Sequence, residues 1–126
     1  TAYRRQRQMC IRDRFNYIPT FVATNSTEAL TNTSTAVSVS TAISTVDSSG
    51  GAVTVTLAAG VTGQLKTIIC TTAGNNITVT PAATVGSGTT VVLDAAGESV
   101  QLLYTGTAWA AVATSSFATN IATVIQ

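Results

Sequence analysis

Ser and Thr hydroxyls are abundant in this chain, but no nearby group could turn one into a nucleophile. The sequence contains no His, which removes the commonest general base and metal ligand at neutral pH. A hydroxyl needs an adjacent base to attack anything, and none is spaced to serve. Asp94 and Glu98 flank the turn Asp94-Ala95-Ala96-Gly97. They supply half of what a Ca²⁺ ion would require, but six or more oxygen ligands are not in view, so they read as ordinary turn acids. Gly86-Ser87-Gly88 lacks a following Lys and leads into a strand. A phosphate cradle needs a helix N-terminus there, so these are turn glycines. Tyr104 and Trp109 face each other across a tight hairpin. They are the one candidate ligand-stacking pair, able to meet a sugar ring, although such pairs more often close a sheet core. Cys70 stands in the most apolar run and reads as a buried structural thiol. Lys66 is expected to blunt a strand face or to pair with an acid. Asn25-Ser26-Thr27, Asn32-Thr33-Ser34 and Asn76-Ile77-Thr78 match the glycosylation acceptor pattern, which a chain this rich in Asn, Ser and Thr meets by chance. No catalytic, metal or cofactor site is expected.

The elements that would position these residues are strands. Val37, Val39, Thr41 and Ile43 alternate with Ser38, Ser40, Ala42 and Ser44, the period of one half-buried strand over residues 36–44. Asp47-Ser48-Ser49-Gly50-Gly51 turns the chain, and Val53, Val55 and Leu57 alternate with Thr54 and Thr56. Leu65 to Thr72 is more continuously apolar and reads as a central strand. Ala73-Gly74-Asn75-Asn76 suits a turn. Ile77 and Val79 form a short strand that Pro81 ends, consistent with an edge or a strand terminus. Thr89 to Leu93, Ser99 to Tyr104 and Ala108 to Ala113 complete the set, the last two joined by Thr105-Gly106-Thr107. Seven candidate strands with frequent turn signals predict an all-β fold, an antiparallel β-sandwich or flattened barrel. The spacing leaves no room for intervening helices, and no fixed repeat suggests a solenoid.

The ends of the chain read differently. Met9-Cys10-Ile11-Arg12-Asp13-Arg14 is what a transposon-end adapter of sequencing libraries encodes, and Tyr3 to Gln8 resembles the same adapter in another frame. Residues 1–14 are therefore set apart as adapter-derived and excluded from the fold. Residues 15–33 form a lead-in, 34–114 the sandwich domain, and 115–126 a tail or linker. The whole chain carries six basic and five acidic residues, net +1. Five of the six basic residues lie in 1–14, leaving Lys66 against Glu28, Asp47, Asp94 and Glu98, a net charge of −3. One cation cannot make a multi-phosphate footprint, so nucleic acid is not an expected partner. No apolar run approaches the ~20 residues of a membrane helix. Cys70 alone cannot build a disulfide framework. A surface short of charge suits a packed assembly better than free solution.

From Gly51 onward the order of elements resembles a family. Thr56-Leu57-Ala58-Ala59-Gly60-Val61-Thr62-Gly63-Gln64-Leu65-Lys66-Thr67-Ile68 is similar to the TLADGxxGQ[LI]KxI block of small β-rich virion proteins of marine and freshwater tailed phages. Asn76-Ile77-Thr78-Val79-Thr80-Pro81 resembles that family's xVxVTP strand. Thr90 to Leu93 with Gly97-Glu98-Ser99-Val100-Gln101-Leu102-Leu103-Tyr104 resembles its TIxF and GDSVTLx(Y/W) blocks, and Gly106-Thr107-Ala108-Trp109 its GxW hairpin. Glu98 replaces the usual Asp and Leu93 the usual Phe. The resemblance implies a non-enzymatic structural protein of a virion, a capsid decoration or a tail or fibre domain. Its partners would be other virion subunits, with a homo-oligomer expected, and its location the extracellular particle. The alternative is a carbohydrate-binding adhesin that meets a host surface glycan through Tyr104 and Trp109.

Overall fold

Val53-Thr54-Val55-Thr56-Leu57 shows how this chain makes its layers: the Val and Leu side chains are buried and the Thr side chains exposed, as a pleated strand with one solvated face requires. The computed structural model describes residues 27–115, and within them nine strands repeat this logic. They are β1 (Thr27–Leu30), β2 (Ala36–Val37), β3 (Ile43–Asp47), β4 (Val53–Leu57), β5 (Leu65–Thr72), β6 (Ile77–Pro81), β7 (Val91–Leu93), β8 (Ser99–Tyr104) and β9 (Trp109–Ser115). A five-stranded sheet runs β1-β3-β5-β8-β9 and a four-stranded sheet runs β2-β4-β6-β7. Val46, Ile68, Cys70, Val100 and Leu102 from the first sheet meet Val53, Val55, Leu57, Ile77, Val79 and Leu93 from the second in one core.

The fold is the expected all-β sandwich, with open sheets in place of a barrel and with a different pairing. β1 with β3, β3 with β5, β2 with β4 and β4 with β6 are parallel. Only β5–β8, β6–β7 and β8–β9 are antiparallel. Parallel neighbours need a crossover of a dozen or more residues. Here a strand of the opposite sheet supplies it, because β1 to β6 alternate between the two sheets. The first six strands thus wind as a flattened coil, which the antiparallel strands β7 to β9 complete.

Two boundaries also move. Residues 27–30, in the expected lead-in, form β1 and join the five-stranded sheet. The expected strand over 36–44 is broken into β2 and β3 by a connector over 38–42. Its inward phase shifts as well: Ser44 and Val46 are buried, and Ile43 is only half-buried. Leu65–Thr72 is a central strand, as its apolar character predicts, and Pro81 ends β6. Residues 1–26, with the adapter-derived segment and Asn25, and residues 116–126 of the tail lie outside the described residues.

Candidate functional site

Glu28, Gln64, Lys66, Tyr104 and Trp109 gather at the end of the sandwich where β3 and β5 begin and β2, β4 and β8 stop, while Cys70, Asp94 and Glu98 lie toward the other end. Lys66, Ile68 and Cys70 share the inner face of β5. Lys66 is 0% exposed, so its ammonium sits at the edge of the core, where three donors must all be matched. The 38–42 connector matches them. Nζ donates to the Ser38 carbonyl at 2.8 Å, the Thr41 carbonyl at 2.8 Å and the Thr41 hydroxyl at 2.7 Å. Glu28 of β1 adds its charge at 3.4 Å. The same Oε1 of Glu28 accepts the Ser38 amide at 2.8 Å and the Ser44 hydroxyl at 2.5 Å. One lysine therefore ties the edge strand, the connector and the central strand together.

The electrostatics follow from this packing. Burial pushes the Lys66 ammonium below its ordinary value, and the Glu28 charge only partly restores it. Burial alone would raise the Glu28 carboxyl. The Ser44 hydroxyl, the Ser38 amide and Lys66 outweigh it and hold the group below the usual carboxylate range. Cys70, also 0% exposed, is pushed up by burial first and by the Glu98 charge next, the character of an inert structural thiol.

Gln64 extends the clasp. Its amide nitrogen donates to the Val39 carbonyl, and its oxygen accepts the Val61 amide at 2.9 Å. Gly60 lies against it and against Trp109: a Cβ there would stand 2.6 Å from Gln64 Oε1 and 2.9 Å from the indole. Trp109 donates from Nε1 to the Ala58 carbonyl at 2.9 Å.

The structure brings Tyr104 and Trp109 together, with ring centroids 5.1 Å apart at 63°. The rings are 8% and 1% exposed, so the pair closes the core and offers no stacking face. This corrects the ligand-stacking expectation, and the reason is the connector geometry: residues 83–85 pair with the start of β9 and the 58–64 loop takes the indole. The hollow beside Trp109, walled by Pro81, Val85, Val91, Leu102 and Ala111, holds about 70 Å³, well short of the roughly 300 Å³ at which small-molecule pockets begin.

The acidic pair separates. Asp94 is exposed, whereas Glu98 is buried and turns its Oε2 onto the amides of Asp94 and Ala95 at 2.7 and 3.1 Å. Its lone pairs serve the turn. Among the described residues no cluster of three or more Asp, Glu, Cys or His could hold a metal ion, every buried side-chain polar atom has a partner, and no helix is long and apolar enough to cross a membrane.

Of the two readings of Lys66, pairing with an acid is the one the structure bears out, but the sequence named neither Glu28 as that acid nor the connector that covers the ammonium. One signal was present: Lys66 lies in phase with Ile68 and Cys70, so period two alone turns it inward. Nothing local identified Glu28, Ser38 and Thr41 as the groups waiting there. Gln64, Lys66, Glu98, Tyr104 and Trp109, on which the family resemblance partly rests, all hold loops or close the core. Compared with protein-family models, with curated proteins and with solved structures, the chain found no match in any of the three.

Proposed function

We propose that this chain is a non-enzymatic structural module of a phage virion, a capsid decoration or a tail or fibre domain, that acts by subunit assembly. One observation carries the reading. The most exposed strand positions are neutral and small: Thr54 and Thr56 on β4, Thr71 and Thr72 at the end of β5, Thr80 on β6, and Ala111, Val112 and Ala113 on β9. Such faces lie close against a neighbour without stripping water from charges. Beyond Trp109, which residues 83–85 hold, β9 is an edge of its sheet among the described residues, and Val112 is 49% exposed at its bulge. The order of the GQLK, GESVQLLY and GTAW blocks points to the virion proteins described above. A glycan-binding adhesin loses support, because the two rings it would use are buried.

The test is the mass of the chain by light scattering across a concentration series, with a search for its peptides in purified phage particles from the same source. A concentration-dependent oligomer found in particles is expected. A chain that stays monomeric and is absent from particles overturns the proposal.

A further inference from the structure

Residues 36–44 carry the alternation of one straight strand, yet the folded chain bends them at 38–42. Local preference and tertiary structure disagree here, and the bend has an identifiable cause. The bonds from Lys66 Nζ to the Ser38 carbonyl, the Thr41 carbonyl and the Thr41 hydroxyl need both ends of the connector drawn to one point. Straightened, nine residues of strand span roughly 30 Å, enough to carry everything before them clear of their own body.

What lies before the connector is an arm of two edge strands. Among the described residues β1 pairs with β3 alone and β2 with β4 alone. The arm is bound by features of the body that any copy of the chain presents. Leu30 and Val37 enter the core, the Thr35 carbonyl takes the Thr56 amide at 3.1 Å, Asn32 donates to the Gly50 carbonyl at 3.1 Å, and the Glu28 carboxylate meets Ser44 and the Lys66 charge. The acceptor cradle is cationic at Lys66 and the arm anionic at Glu28.

We infer that residues 27–37 are an exchangeable arm, seated either on their own β3 and β4 edges or on those of a second copy, with residues 38–42 as the hinge and Lys66 as the latch that keeps the arm at home. The inference rests on the assembly reading and names its partner, a second copy of this chain. Exchange re-forms the arm's strand ladders, its buried Leu30 and Val37 and its Glu28 contacts between copies. The bonds that require a bent hinge are lost: those of Lys66 to Ser38 and Thr41, that of Gln64 to the Val39 carbonyl, and those within the hinge from Ser40 and Thr41 to Ser38. Lys66 makes the charged share of them and is the latch residue whose loss tilts the balance from the closed monomer toward the exchanged dimer.

The experiment mixes two full-length chains, one carrying Thr27→Cys and the other Ile43→Cys, both with Cys10→Ser and Cys70→Ala. Thr27 and Ile43 are register partners across β1 and β3, so a disulfide between them in separate chains forms only when the arm of one lies on the body of the other. Peptide mass spectrometry identifies the 27–43 bond, and light scattering gives the dimerisation constant. Lys66→Met is expected to raise that constant about tenfold or more, the equivalent of one lost hydrogen bond, and to increase the 27–43 link. Ser40→Val is the gentler variant. It sits at an exposed hinge position, removes the hydroxyl contact between Ser38 and Ser40 and strengthens the straight-strand preference, so it too is expected to raise both readouts. If Lys66→Met fails to fold, Ser40→Val decides. An oligomer that forms without the 27–43 link overturns arm exchange and leaves assembly standing. Monomers at every concentration in all variants overturn arm exchange, and together with absence from particles they overturn the assembly reading as well.

Discussion

Glu98 shows what a single side chain does in a fold so short of charge. Its carboxylate is buried and satisfies two turn amides, while its backbone carbonyl takes the Cys70 amide at 2.8 Å. Hydrogen bonds to a charged group are among the stronger ones. Glu98→Ala is expected to lower stability by about 2 kcal/mol, read as a shift of the urea midpoint without a change of slope. The amides of Asp94 and Ala95 should lose protection from hydrogen exchange first. A variant as stable as the parent would mean that the turn holds itself. Lys66 differs in kind, because its partners are mostly groups of a connector, two carbonyls and a hydroxyl, and not a single acid. Removing it frees a segment of chain and not only one bond.

At the scale of elements, the coil depends on connectors that cross between sheets and are pinned where they cross. The 58–64 connector is pinned by Gln64, by the Ala58–Trp109 bond and by the close approach of Gly60. Gly60→Ala would place a methyl group 2.6 Å from Gln64 Oε1 and 2.9 Å from the indole. Gln64 cannot swing away without releasing Val39 and Val61. The substitution is expected to cost about 1–3 kcal/mol, the range of an overpacked core, and to shift Trp109 fluorescence toward that of a wetter indole. An unchanged emission maximum with unchanged stability would show that the connector has slack. Strand existence was legible in the sequence because Val/Thr alternation and Gly or Asn turns are local signals: β4 and β5 fall where their patterns place them. Pairing was not legible. Alternation states which face of a strand is buried and is silent on which strand lies beside it, so a parallel coil and an antiparallel meander read alike. Residues 36–44 were misread as one strand because the force that bends them comes from a lysine 25 to 28 residues downstream.

At the scale of the molecule, the Glu28–Lys66 pair contributes to the pH response, beside the exposed Asp47 carboxyl that Ser49 holds low and the buried Cys70 thiol that burial pushes up. The folded state holds the Glu28 carboxyl below its ordinary 4.5, so its contribution is fully present above that value and is lost as the pH falls through the folded one. Lys66 runs the other way. Its ammonium is held below 10.5, so the unfolded chain keeps that proton more tightly, and stability gains as the pH climbs through the window beneath 10.5. Urea unfolding across a pH series should therefore show wild type more stable than Glu28→Gln near neutrality, with the two converging in acid below pH 4.5. A gap that persists undiminished in acid would remove the clasp from the account.

The sequence by itself determined that the chain is built of strands, which side chains face inward on β4 and β6, and where β4, β5 and β8 turn, because each is a property of neighbours a few residues apart. Tertiary structure decided the parallel order of β1 to β6, the burial of Lys66 beneath a bent connector, and the loss of the Tyr104–Trp109 face to the core. Those outcomes depend on groups up to 51 residues apart, as in the bond from Trp109 to Ala58, and such groups meet only once two sheets have closed on one another.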